Sequence, residues 1–189
     1  MRHENSHAHD ESSSRGASNE DCAWYHFMFS TYGAWLRGDA RGFRDHGHRI
    51  HSSGDYRNPP PADEHAGLRT WTKRAMRKPA VSLTPDQRRE ALAWLVRALR
   101  ARGVELLALA VMAQHVHGLG RFEVAHARRV IGLAKARSSH ALRDAIPGAV
   151  WAKKCALRLI RDRLHQATTF RYIINHEREG GKVWTFRDV

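Results

Sequence analysis

The segment VELLALAVMAQHVHGLGRF, Val104 to Phe122, restricts the fold more than any other part of the sequence. It reads as two short apolar strands, the second carrying His115 and His117 with Val116 between them. Side chains alternate faces along a strand, so positions i and i+2 point the same way. Both imidazoles therefore share one face while Val116 takes the other. Two nitrogen donors this close on a rigid sheet make half of a metal site. The spacing alone is weak. With 14 histidines in 189 residues, His-x-His arises by chance roughly once. The chain holds three such pairs, His7/His9, His46/His48 and His115/His117, and only the third sits in an apolar run able to form a buried strand.

Charge narrows the partner. Lys and Arg number 32 against 19 Asp and Glu, a formal net charge of +13. With 42% hydrophobic residues, this balance indicates a folded protein with a polyanionic partner, most simply nucleic acid. A membrane surface is the lesser alternative, since no basic amphipathic helix with a bulky apolar face stands out. No apolar run approaches the length of a membrane span, and the N-terminus lacks a signal-peptide core. Cys22 and Cys155 lie far apart with no CxxC pattern, which points to a reducing cytoplasm. A cytoplasmic, nucleoid-associated location is the expectation.

Residues 1–22 are polar and Ser-rich and read as a disordered tail. His3, His7 and His9 fall there and read as part of a solvated tail. The remainder, 23–189, suits one domain with a long insertion at about 33–78. Trp24 to Thr31 (WYHFMFST) is an aromatic-rich strand. His26 lies on it and reads more readily as surface filler than as a ligand. The insertion is dominated by Gly, Arg, His and Pro, with Pro59–Pro61 forcing extended backbone. Its Arg and His content, with Trp35, Phe43, Tyr56 and Trp71 interspersed, suits nucleic-acid backbone and base stacking as well as it suits a solvated loop. His46, His48 and His51 are a weaker second cluster, held by no fixed element.

The clearest helix follows. Thr84 is an N-cap, Pro85 the first helical residue and Gln87 the reciprocal member of a capping box. Leu92, Leu95, Val96 and Leu99 then form one apolar stripe, ended at Gly103. A second helix runs from Val124 to about Ala145, with Val130, Ile131, Leu133 and Ala134 inward. Arg128, Arg129, Lys135, Arg137 and Arg143 face outward. Ala149–Ile160 reads as a basic edge strand carrying Lys153, Lys154 and Arg158. A third helix spans about Arg161 to Glu179, with Ile160, Leu164, Ala167, Phe170 and Ile174 inward. A separate stripe holds His165, Thr169, Tyr172 and His176. Tyr172 and His176 thus stand one turn apart. Lys182–Phe186 adds a short strand or closes over the core.

These motifs, in this order, resemble the single-tyrosine HUH transposases, including the REP-associated tyrosine transposases. The opening strand YHFMFST, the strand pair ending in HVH and the basic helix VIGLAKARSS all have counterparts in that family. So do the Trp-led VWAKKCALRLIRD and the final FRYIINH helix. The match covers roughly residues 24–31 and 84–180. It implies an α+β fold, a ferredoxin-like or RRM-like sandwich with an antiparallel sheet and helices packed on one face. Residue by residue, it implies His115 and His117 as metal ligands and Tyr172 as nucleophile. Where many members place a glutamine four residues after the tyrosine, this chain has His176, which keeps a nitrogen donor in reach; His165 is the reserve. The implied cofactor is a divalent metal, Mn2+ or Mg2+. Mg2+ prefers oxygen donors, so a third imidazole shifts preference toward Mn2+, Co2+ or Zn2+. The implied partner is single-stranded or hairpin DNA, with Lys135, Arg137, Lys153, Lys154 and Arg158 as DNA contacts; the reading leaves room for a homodimer.

The chemistry stands on its own terms. A phosphodiester resists attack because its anionic oxygens repel nucleophiles, and a divalent ion on a non-bridging oxygen removes that obstacle. A phenol with a pKa about 10 is a weak nucleophile at neutral pH unless something polarises it. Cleavage through Tyr172 leaves a 5′-phosphotyrosine and a free 3′-OH, and rejoining then needs no ATP. Two rivals remain: a relative that binds hairpin or single-stranded DNA without cutting it, and an RNA-binding module with a structural Zn2+ site.

Overall fold

The computed structural model describes residues 21–45, 48–50, 61 and 63–188. Seven strands and four helices follow in the order β1 (Cys22–Ser30), β2 (Phe43–Asp45), β3 (His48–Ile50), α1 (Ala66–Arg74), α2 (Pro85–Arg100), β4 (Glu105–Val111), β5 (His115–Glu123), α3 (Ala127–Ala141), β6 (Ala156–Leu159), α4 (Arg163–Asn175) and β7 (Lys182–Thr185). Five of the strands form one sheet in the order β6-β1-β5-β4-β7, every neighbouring pair antiparallel. Without β7, the path β1-α2-β4-β5-α3-β6 is the βαββαβ arrangement of a ferredoxin-like α+β fold.

Alternation along the central strands sorts two cores. Phe27 and Phe29 of β1, Leu109 and Val111 of β4, and Val116 and Phe122 of β5 face α2 and α3, where Leu95, Leu99, Ile131 and Ala134 meet them. The expected helices on one face are these two. The opposite face is narrower and built from Ala108, Ala110 and Leu119, and α4 lies across it on Ile173. Small residues there let the last helix approach the sheet closely. Gly118 serves the first core in the same way: a β-carbon on it would fall inside the Phe27 ring.

Local signals explain α2 well. Thr84 accepts from the Gln87 backbone N–H, Gln87 accepts from that of Thr84, and Pro85 opens the helix. Elsewhere the structure corrects the sequence reading. β1 begins at Cys22, where it pairs with Glu123, and of the tail expected over residues 1–22, residues 1–20 lie outside the described residues. The edge strand shrinks to Ala156–Leu159, because 151–154 are held in another way. Trp151 bridges to Thr31 and its indole donates to Ser138, and the Lys135 ammonium donates to the carbonyls of Ala152 and Lys153 at 2.6 and 3.1 Å. In α4, Leu164 and Ala167 face solvent, Phe170 and Ile174 pack partly buried on the second core as expected, and the fully buried residues are Thr169, Ile173 and the following His176. The polar stripe is therefore part of the packed side.

The insertion contains β2, β3 and α1. Its first part is built on a buried carboxylate: Asp39 receives both Nε and Nη2 of Arg41 at 2.8 and 2.7 Å, and that guanidinium also lies over the Trp35 ring. Burial would raise the Asp39 pKa, but the Arg41 hydrogen bonds hold it below the usual carboxylate value. The weaker cluster of His46, His48 and His51 rests on side chains outside the described residues, as does Tyr56.

Candidate metal centre

Strand β5 places His115 and His117 on the sheet face that α4 covers. The end of α4 brings His176 over them as its C-cap residue. Each of the three offers one ring nitrogen, all within 4.8 Å of one another. Imidazole nitrogens on one ion, each at about 2.0–2.1 Å, lie at most roughly 4 Å apart, so a small turn of the rings would seat a cation. His117 and His176 are buried and His115 is half-buried.

Hydrogen bonds assign the nitrogens. His176 Nδ1 donates to the carbonyl of Tyr172 at 2.9 Å, which leaves its Nε2 with the lone pair. His117 Nδ1 lies 3.0 Å from His26 Nε2, so its own Nε2 is the nitrogen left for a ligand role. The donor set therefore fits a divalent or later transition ion with open positions. Electrostatics agree. Burial, reinforced by the neighbouring histidines, lowers the His117 pKa to about 3. Burial, with Arg158 next, lowers that of His26 to about 4, and His115 is lowered chiefly by burial. All three rings are thus neutral and hold free lone pairs at neutral pH.

Tyr172 stands in the last turn of α4, its ring centroid 4.7 Å from that of His176 and 5.3 Å from that of His117. It is half exposed, so a polymer can reach it from solvent. Burial of the ring, with Glu179 adding and Arg158 opposing, raises the phenol above its ordinary pKa. Left to itself, the hydroxyl is protonated.

The other residues expected at the site divide. Arg158 pairs across the sheet with His26, on the open side of the cluster, and its charge is felt by His26, His117 and Tyr172. Arg137, Lys153 and Lys154 are exposed. Lys135 is a correction. It is buried, and its ammonium donates to three consecutive carbonyls, of Ala152, Lys153 and Lys154, so it secures the backbone rather than offering charge outward. The long, flexible lysine stem makes that inward reach easy. His165 accepts from the Arg161 N–H and lies outside the trio.

Sequence reasoning passed over His26. A usable signal existed: Tyr25, Phe27 and Phe29 mark the apolar side of β1, so His26 belongs to the other side, the one the paired strand gives to His115 and His117. A concavity of about 680 Å3 between α2 and β7, lined by Arg97, Arg100 and Trp184 among others, contains none of the histidines.

No protein-family model matches the sequence, and no curated protein matches it. Among solved structures, the chain is similar to a REP-associated tyrosine transposase bound to a REP hairpin. The TM-score is 0.43 and the identity 13%, over 84% of this chain and 68% of that one. So slight a likeness carries no argument about function.

Proposed function

We propose that the protein is a metal-dependent DNA strand transferase of the single-tyrosine HUH type. In this reading it cleaves and rejoins single-stranded DNA, at a hairpin or flanking repeat, through a 5′-phosphotyrosine on Tyr172. The observation that carries the reading is one of placement: a half-exposed phenol lies against three imidazoles, two of them buried, whose ring nitrogens gather within 4.8 Å of one another. A protein that only binds DNA has no need of that pairing. The ordered motifs from YHFMFST to FRYIINH support it as well.

His115, His117 and His176 would hold the ion. When bound, the ion would neutralise the non-bridging phosphate oxygens and favour ionisation of a nearby phenol. Tyr172 supplies the attacking oxygen: its bond to phosphorus forms as the bond to the 3′-oxygen breaks, and the phenolic proton is made good on the departing 3′-OH. Burial raises the phenol above its ordinary pKa, so its proton would be given up only with help from the ion or a base. Arg158, exposed beside His26, would bind a phosphate of the approaching strand, whereas Arg137 stands on α3, across the sheet from the histidines, and Lys153 and Lys154 precede β6.

Labelled single-stranded oligonucleotides incubated with Mn2+ test the reading. A covalent protein–DNA adduct is expected, lost in Tyr172→Phe and on addition of a chelator. DNA binding without an adduct from any hairpin substrate would reduce the protein to a binder.

A further inference from the structure

His26 belongs to none of the roles above, yet it is only 8% exposed on a central strand, where an apolar residue would pack without needing a partner. Its sheet neighbour across β5 is Leu119, and Met28, two residues on, faces His117. His26 and His117 are therefore diagonal neighbours on one face, within reach of each other. The rings meet at 3.0 Å between His26 Nε2 and His117 Nδ1.

One proton is shared on that axis, and only one of its two placements suits a cation. If His26 Nε2 carried it, His117 would hold its own proton on Nε2 and aim an N–H at the ion. If His117 Nδ1 carries it, Nε2 presents a lone pair and His26 keeps its proton on Nδ1. We propose that His26 is a positioning residue for His117, accepting its Nδ1–H so that ring orientation and tautomer are set before a cation arrives. His176 receives the same treatment from a backbone carbonyl. The two buried ligands are thus both oriented through Nδ1, one by main chain and one by a side chain open to mutation. The inference rests on the metal-binding part of the proposed function and not on strand transfer.

The test uses full-length protein without DNA, with Co2+ binding followed by its visible absorption. His26→Leu removes the acceptor, whereas His26→Gln keeps a carbonyl oxygen to receive the proton. His26→Leu is expected to weaken Co2+ binding roughly 10–100-fold, with His26→Gln close to wild type. Imidazole nitrogen NMR of the wild type, which needs no variant to fold, is expected to show His117 protonated on Nδ1. Co2+ affinity unchanged in a folded His26→Leu, equal losses in both variants, or His117 protonated on Nε2 in the cobalt-competent protein would each overturn the proposal. A wild type that binds no Co2+ would overturn it together with the metal reading. The expected pattern in a protein that forms no Tyr172 adduct would leave the positioning role intact and remove strand transfer.

Discussion

Two of the three histidines that could hold an ion, His117 and His176, are set by what their other nitrogen does. Burial lowers the pKa of His115 and His117, and the Nδ1 partners of His117 and His176 leave their Nε2 atoms with the lone pairs. An all-imidazole set favours later transition ions over Mg2+. His176→Gln, which replaces a nitrogen donor by an amide oxygen, is therefore expected to raise Mg2+-supported adduct formation relative to Mn2+. Equal Mg2+/Mn2+ ratios in the two proteins would refute this. Of the residues that meet here, the His115/His117 pair shows in the sequence as a two-residue strand repeat, while Tyr172 and His176, one helical step apart, are singled out by the resemblance and not by their spacing. His26 and Lys135 escaped for a common reason. The inward turn of a polar side chain depends on which strand or loop arrives beside it, and linear spacing does not record that.

At the scale of elements, α2 is legible because its start is written in three side chains, Thr84, Pro85 and Gln87. By contrast, α1 buries no residue among its nine and has no apolar stripe to announce it. Helix α4 ends at Asn175, short of the Glu179 expected; Phe170 and Ile174 pack toward the second core as expected, whereas Leu164 and Ala167 face solvent. The sheet beneath it offers small residues and histidines, so few bulky side chains of the helix are drawn fully inward. Only Thr169 and Ile173 are buried within the helix, which is a light anchorage. A cation joining His176 to β5 would add to it. At free metal a hundredfold above Kd, about 2.7 kcal/mol of stabilisation follows. Amide hydrogen exchange across α4 is accordingly expected to slow by up to ~100-fold on metal addition, with α2 and α3 much less affected. Exchange in α4 that is indifferent to metal would place the binding elsewhere.

For the molecule as a whole, the buried imidazoles carry a stability cost in acid. The folded-state values of His26 and His117 lie near 4 and 3, below the ordinary 6.5. Above pH 6.5 both rings are neutral whether the chain is folded or not, so they add no pH dependence. Below it the unfolded chain takes up protons that the folded chain refuses, and stability falls as pH drops toward 4. The metal-free protein should therefore lose Tm from about pH 6.5 to 5, before most carboxylates titrate; a flat Tm across that interval would contradict the burial. The two faces of the central strands follow from alternation that the sequence displays, while the strand order and the construction of the insertion on Asp39 and Arg41 follow from contacts that it does not. Tyr172 and His176 stand a single turn apart on α4. If two copies were to trade this segment, phenol and imidazole would change owner as one inseparable package. Mixing Tyr172→Phe with His117→Ala could then restore adduct formation, whereas mixing Tyr172→Phe with His176→Ala never could, since no pairing of those two copies reunites an intact package with itself.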